Sequence, residues 1–357
     1  MDYLKRLDWF LNSGIIFLFG AGLLSLASTA PRLFLSQLLW GVIGLGVMIW
    51  VANFDWRSFV NYRWFIFGIY GLSIFLLLIT YLIAPPIRGV RAWLPIGPLQ
   101  FQTSEIVKFA LILLYSSFFA KGHIKIAHLR SIFLSFIYFL IPALLVVVQP
   151  DMGSALIIFS IWFGYLLVSG LKWKHIFLAA IVFSLSLVIM WTSVLREYQK
   201  DRIIGLFNPE RDPLGVNYSV IQAKIAIGSA GFWGKGFGQG TQAQLGFLPE
   251  AQTDFIFSAF IEEWGMFGGI AIIIGFLLVL LRIIRIGLGA DDNFGRLICL
   301  GASILFLSHF VLNVGSNLGL MPVVGVPFPF LSYGGSNLLV SSLLIGMIQG
   351  VVLYRRF

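Results

Sequence analysis

Apolar runs of about 20 residues, each closed by a short polar interval, recur from Trp9 to Leu353, and a single interval is long. A run of that length is what the hydrocarbon of a bilayer demands of a helix, because each peptide N–H and C=O must be paired inside the segment. The runs lie near residues 10–29, 35–54, 64–84, 104–120, 131–149, 153–170, 175–194, 264–285, 296–316 and 335–353. They predict an all-α integral membrane protein of about ten transmembrane helices, with a large loop over 195–263 between spans seven and eight. No fixed-period repeat and no low-complexity linker divides the chain, so residues 1–357 read as one polytopic membrane domain.

Composition enforces the same class. Charged residues make up 11% and the mean hydropathy is +0.94; a soluble domain carries about 25% charge. The net charge of +9 would raise the question of nucleic acid in a soluble chain. Here the cations follow the loops instead. Lys5, Arg6, Arg57, Arg63, Lys121, Lys125, Arg130, Lys172, Lys174, Arg282, Arg285, Arg296, Arg355 and Arg356 fall on one side of the predicted membrane. The short intervals on the other side hold only Arg32, Arg88 and Arg91. Positive charge stays inside, which puts both termini in the cytoplasm and the 195–263 loop on the extracytoplasmic face; long loops cross regardless of charge. The lone Cys299 rules out an internal disulfide and reads as a small core residue. The run from Trp9 to Leu26 is too long for a cleavable signal peptide.

The outer intervals carry the chemistry-bearing residues. Prolines and glycines between Pro85 and Pro98 forbid a continuous helix around Arg91 and the interfacial Trp93. Glu105 and Lys108 then sit at i and i+3 at the mouth of a span, within pairing reach. In the short turn at 149–154, Pro150 ends one helix, and Asp151 either caps the next or points into an outer cavity. The long loop holds an amphipathic helix ending at Pro209 and a short apolar helix over 218–230 interrupted by Gln222 and Lys224. A glycine-rich run follows, with Lys235 among Gly231, Gly234, Gly236, Gly238 and Gly240; it suits a phosphate weakly and lacks the Walker spacing. Thr253 is a candidate N-cap, with Asp254 in the first turn and Ser258 and Gly265 on the same helical face. The helix dipole favours the Asp254 anion and dry surroundings favour its protonated form, so it suits proton transfer. His309 and Asn313 lie one turn apart within a span, and Pro322, Pro327 and Pro329 break the chain before Ser332 and Ser336.

Four segments together resemble the SEDS proteins of bacterial wall growth, division and sporulation: FQTSEIVKFA at 101–110, QPDMGSAL at 149–156, FLPEAQTDFIFS at 247–258 and PVVGVPFPFLSYGGSN at 322–337. Lys224, Lys235 and Gly240-Thr241-Gln242 place the resemblance with the RodA-like branch. The resemblance implies a peptidoglycan glycosyltransferase that polymerises lipid II, a disaccharide-pentapeptide on undecaprenyl pyrophosphate, at the outer face of the bacterial cytoplasmic membrane. It implies Asp254 as the essential acid, with Glu105, Lys108, Asp151, Ser332 and Ser336 at the family's other marked positions. It also implies a class B penicillin-binding protein as transpeptidase partner, other rod-complex membrane proteins beside it, and no nucleic acid. In that chemistry Asp254 acts as general base, and Arg91, Lys108, Lys224 or Lys235 face the pyrophosphate. A divalent cation, Mg or Mn, would serve the same end, although no dense carboxylate cluster demands one. The same features leave two alternatives open: a lipid II flippase or transporter, and a non-catalytic scaffold of the wall-synthesis complex.

Overall fold

The computed structural model describes residues 5–54, 56, 62–87, 89–97, 99–120, 129–168, 190–194, 197–208, 212–215 and 217–354, with isolated positions between 177 and 188. Among the described residues, six α-helices and a π-helical turn (Met190–Val194) precede the long loop: α1 (Trp9–Thr29), α2 (Pro31–Ala52), α3 (Arg63–Ile83), α4 (Thr103–Ala120), α5 (Leu129–Val148) and α6 (Met152–Val168). The loop itself carries α7 (Glu197–Phe207), α8 (Tyr218–Ser229) and the short α9 (Thr241–Gln244). Then come α10 (Ile256–Leu288), α11 (Asn293–Asn317) and α12 (Gly335–Leu353). Among the described residues, 8 helices are long and apolar enough to cross a membrane, and the apolar α6 is a shorter addition. The run near 175–194 lies largely outside the described residues.

Which helix sits at the centre follows from its side chains. α4 places polar and ionisable groups on every face: Ser104, Glu105, Lys108, Tyr115, Ser116 and Ser117. Such groups cannot face lipid without a partner, and 83% of the spanning window of α4 is buried. α2 and α5 are more apolar, with Gln37 and Ser135 among their few buried polar groups, and stay at 22%. α4 packs on α3, α5, α6, α11 and α12, while α12 packs on α2 and α10 on α1 and α11.

Two features depart from the helical pattern. Residues before α4 form an antiparallel hairpin, β1 (Trp93–Ile96) and β2 (Leu99–Gln102), with Trp93 opposite Gln102 and Gly97 at φ 61° in the turn. The prolines and glycines there exclude a helix but do not by themselves specify a hairpin.

The second departure is inside α10. Gly265 has φ 72° and ψ −176°, so the helix is broken there and resumes at once. A break strands backbone groups on both sides, and the glycine-rich loop pairs four of them. Met266 and Phe267 N–H donate to the Gly231 and Phe232 carbonyls, at 3.1 Å each. Lys235 and Gly236 N–H donate to the Glu262 and Glu263 carbonyls, at 3.0 Å each. A Cβ on Gly265 would stand 2.2 Å from the Phe232 oxygen, so no larger residue fits the stitch. The glycine-rich run, only a weak phosphate signal in the sequence, uses its main chain to mend a helix.

Candidate active site

Asp254 stands just before the start of α10, at the end of the 256–264 stub away from the break. The helix begins at Ile256 with Phe255 as the N-cap residue, two positions later than the sequence suggests. Asp254 is thus in the preceding turn instead of the first helical turn, and Thr253 does not cap; its hydroxyl donates to Glu250 Oε2 at 3.1 Å. The turn is held by Thr253 and Phe255 N–H, which both donate to the Glu250 carbonyl at 3.1 Å.

Asp254 is half-buried, and its main chain is fixed from two directions. Asn313 Nδ2 and Asn317 Nδ2, from α11, donate to the Asp254 carbonyl at 2.9 and 2.8 Å. Ser332 Oγ donates to the Thr253 carbonyl at 2.6 Å and accepts from Phe328 N–H at 2.8 Å. Tyr333 N–H donates to the Gln252 carbonyl at 2.9 Å. The segment between α11 and α12 thereby forms one wall of the site. Gly325 in that wall, at φ 69°, puts backbone beside the carboxylate: a Cβ there would be 3.7 Å from Asp254 Oδ2.

Below this, α11 carries a polar row at every fourth residue, His309, Asn313 and Asn317. His309 Nδ1 is 3.1 Å from the Pro327 carbonyl. The row leads to the second ionisable group, Glu105 with Lys108 on α4. These pair at 2.7 Å and are each 1% exposed, so both charges are shut inside the bundle. Asn337 Nδ2 on α12 donates to Glu105 Oε2 at 3.3 Å. A buried pair of this kind holds only with good geometry and further hydrogen bonds, and removing one partner is costly.

Asp151 does cap a helix: its Oδ1 accepts from Ser154 N–H at 3.1 Å. Its other oxygen accepts from Gln102 Nε2 at 3.1 Å and Ser104 Oγ at 3.4 Å, tying the hairpin and α4 to the start of α6. Ser336 Oγ accepts from Gln102 N–H at 3.0 Å and joins the hairpin to α12. Arg91 is exposed beside that hairpin, its N–H donating to the Gln149 carbonyl at 3.3 Å.

Other predicted site residues are engaged elsewhere. Lys235 Nζ binds Glu262 Oε1 at 2.7 Å and Thr241 Oγ1 at 2.9 Å. The fully buried Glu262 also accepts from Gln242 N–H at 2.9 Å and Ala243 N–H at 3.2 Å, capping α9. Glu263 bonds Ser28 and Gln244, fastening the same loop to the end of α1. Ser258 is fully buried, its N–H and hydroxyl both donating to Asn317 Oδ1 at 3.0 and 2.6 Å. Lys224 is exposed on α8 and lies over Gly319, whose Cβ would come within 2.4 Å of its Nζ. Lys224 and Arg202 line a cleft of about 270 Å³ between α7, α8 and residues 319–323. Among the described residues no three His, Cys, Asp or Glu side chains gather where they would hold a metal ion.

Sequence reasoning passed over Asn317, Asn337, Gln102 and Glu263. Gln102 and Asn337 lie within the quoted family segments without standing out there, and Asn317 stands one turn past the Asn313 already marked within a span.

Comparisons with known proteins bear on the whole chain. The sequence profile of the cell cycle protein family FtsW/RodA/SpoVE matches residues 5–356. The peptidoglycan glycosyltransferase MrdB of Escherichia coli is 35% identical over 314 residues, 88% of this chain and 84% of that protein. Stage V sporulation protein E of Bacillus subtilis is 33% identical over 330 residues, 90% and 87% of the two chains. Among solved structures, a chain from a peptidoglycan synthase complex that coordinates polymerization and crosslinking superposes with a TM-score of 0.82 at 30% identity, covering 98% of this chain and 99% of that one. The rod shape determining protein RodA of Thermus thermophilus superposes with a TM-score of 0.73 at 27% identity, covering 98% and 97%. With the fold and the near full-length matches in agreement, the chain belongs to the FtsW/RodA/SpoVE family of cell cycle proteins.

Proposed function

We propose that the protein is a peptidoglycan glycosyltransferase that joins lipid II disaccharides into glycan strands at the outer face of the bacterial cytoplasmic membrane, both termini inside. The observation that carries this is the half-buried Asp254 carboxylate on a main chain clamped by Asn313, Asn317 and Ser332. A sugar hydroxyl attacks poorly unless a base takes its proton as the new bond forms, a contribution of about 10²–10⁴-fold. Asp254 accepts that proton. The hydroxyl oxygen bonds to the anomeric carbon of the lipid-linked strand, and the carbon–oxygen bond to the pyrophosphate breaks. The leaving group departs with the electron pair.

Charge must gather around that pyrophosphate. Lys108 is sealed against Glu105, and Lys235, partly exposed, is paired with the buried Glu262. The exposed Arg91 and Lys224 are the cations better placed to meet it. A divalent cation, Mg or Mn, would supply further positive charge to the departing pyrophosphate. The partner is a class B penicillin-binding protein within a rod complex, in keeping with the synthase complex in which a structural relative was solved.

The test is the purified protein in liposomes with labelled lipid II. Wild type gives a glycan ladder on a gel, and Asp254→Ala, inserted and monodisperse, gives none; parallel lanes with EDTA read the cation. A ladder of wild-type intensity from Asp254→Ala removes the aspartate from the mechanism. The sealed Glu105–Lys108 pair at membrane depth is the one observation that favours a transporter, and movement of lipid II across the bilayer without elongation is the outcome that would choose it.

A further inference from the structure

We infer that Asn313 and Asn317 are positioning residues for the base, aiming the Asp254 carboxylate by jointly gripping the carbonyl of its own residue; this rests on the assignment of Asp254 made above. The geometry at the helix start makes such a grip necessary. The first carbonyl that α10 can use is that of Phe255, which accepts from Ala259 N–H at 3.0 Å. The Asp254 carbonyl lies one residue outside the helix, so its partners must come from elsewhere.

Both partners come from one face of α11, four residues apart, and both amides are buried, at 1% and 0% exposure. Each amide is itself locked. The Nδ2 of Asn313 also donates to the Val326 carbonyl at 2.8 Å, binding the 318–334 segment to the same point. The Oδ1 of Asn317 accepts from Ser258 N–H, a group that can only donate, so its Nδ2 is committed to the Asp254 side. That Nδ2 also reaches the Asn313 carbonyl at 2.9 Å.

One donor would fix the direction of the carbonyl yet leave the peptide free to pivot about it. Two donors fix the plane of the 254–255 peptide, and Ser332 fixes the peptide before it. Only two side-chain torsions then separate that frame from the carboxylate, so the reach of the base is set by α11. A shift of about 1 Å in a reacting group costs about 10²-fold in rate. The two amides are redundant on one atom, which makes their loss more than multiplicative.

Steady-state polymerisation by the full chain in lipid II liposomes is the test, with Asn313→Ala, Asn317→Asp and the pair together. Asn317→Asp removes the donor while keeping the acceptor for Ser258. Each single variant is expected to lower kcat about 5-fold and the pair about 10²-fold, with KM within about two-fold. Wild-type kcat in the folded pair overturns the inference, and so does a loss carried by KM. If the pair does not purify as a monodisperse protein, the kcat against KM split of Asn317→Asp alone decides in the same way. Wild-type rates in Asp254→Ala itself would instead remove the base, a result read in a different lane.

Discussion

Glu262 and Lys235 form an ion pair whose two halves stand in unequal surroundings, and that inequality predicts unequal mutants. Glu262 is fully buried, whereas Lys235 keeps 24% of its side chain exposed. Glu262→Ala strips the acceptor from Gln242 and Ala243 N–H and from the Thr241 hydroxyl, and leaves Lys235 without its counter-charge. Donors left unpaired cost about 1–3 kcal/mol each, and breaking a buried pair costs about 3–5 kcal/mol in total. Lys235→Ala leaves Glu262 with its main-chain donors and one hydroxyl, so the carboxylate stays hydrogen-bonded. Discounted for the water that already reaches Lys235, that loss is about 1–2 kcal/mol. Thermal unfolding in detergent should therefore fall by about 5 °C or more for Glu262→Ala and about 2 °C for Lys235→Ala. Polymerisation should track the loss of folded protein in both. Equal destabilisation would refute the asymmetry. A Lys235→Ala protein of wild-type stability whose KM for lipid II rises tenfold would move Lys235 from the scaffold to the pyrophosphate.

Two further substitutions read the same scaffold. Gly265→Ala puts a Cβ 2.2 Å from the Phe232 oxygen at φ 72°, a strain of about 1–3 kcal/mol before any of the four stitching bonds is lost; the protein should insert, melt several degrees lower, and be nicked by protease within 231–240. Asp151→Ala should cost about 1 kcal/mol through the lost cap of α6 while Asp151→Asn keeps most of it; if Asp151→Asn polymerises as wild type at unchanged melting temperature, the negative charge of Asp151 has no part in binding substrate.

The spans were legible because lipid imposes a length and a composition on each helix by itself, so no partner need be known. The ends of α1, α4, α11 and α12 fall within a few residues of the apolar runs that predict them. The ion pair Glu105–Lys108 was legible for the same reason, being local to one helix at i and i+3. What stayed hidden depends on residues far apart in the chain. The asparagine ladder reaches Asp254 across 59 and 63 positions, and Ser332 reaches Thr253 across 79. A sequence shows which of these groups must be satisfied when buried, not which of the others will do it. The glycine-rich loop shows how that gap misleads. Glycines at positive φ suit a phosphate as well as they suit a close main-chain approach, and only the position of Gly265, 29 residues after Gly236, decides for the latter.

The hidden contacts have a common logic in where they sit. Residues 256–264 form a helical stub held at both ends: Asn313, Asn317 and Ser332 at the Asp254 end, and the loop stitch with Glu262 and Glu263 at the Gly265 end. Had α10 continued unbroken to Asp254, any tilt of that long helix in the bilayer would have swung the acid with it. At the break the loop stitch joins the stub to the span, and the clamps refer the stub to α11 and to the end of α1 as well. Preorganised groups are worth most when nothing has to move as charge develops.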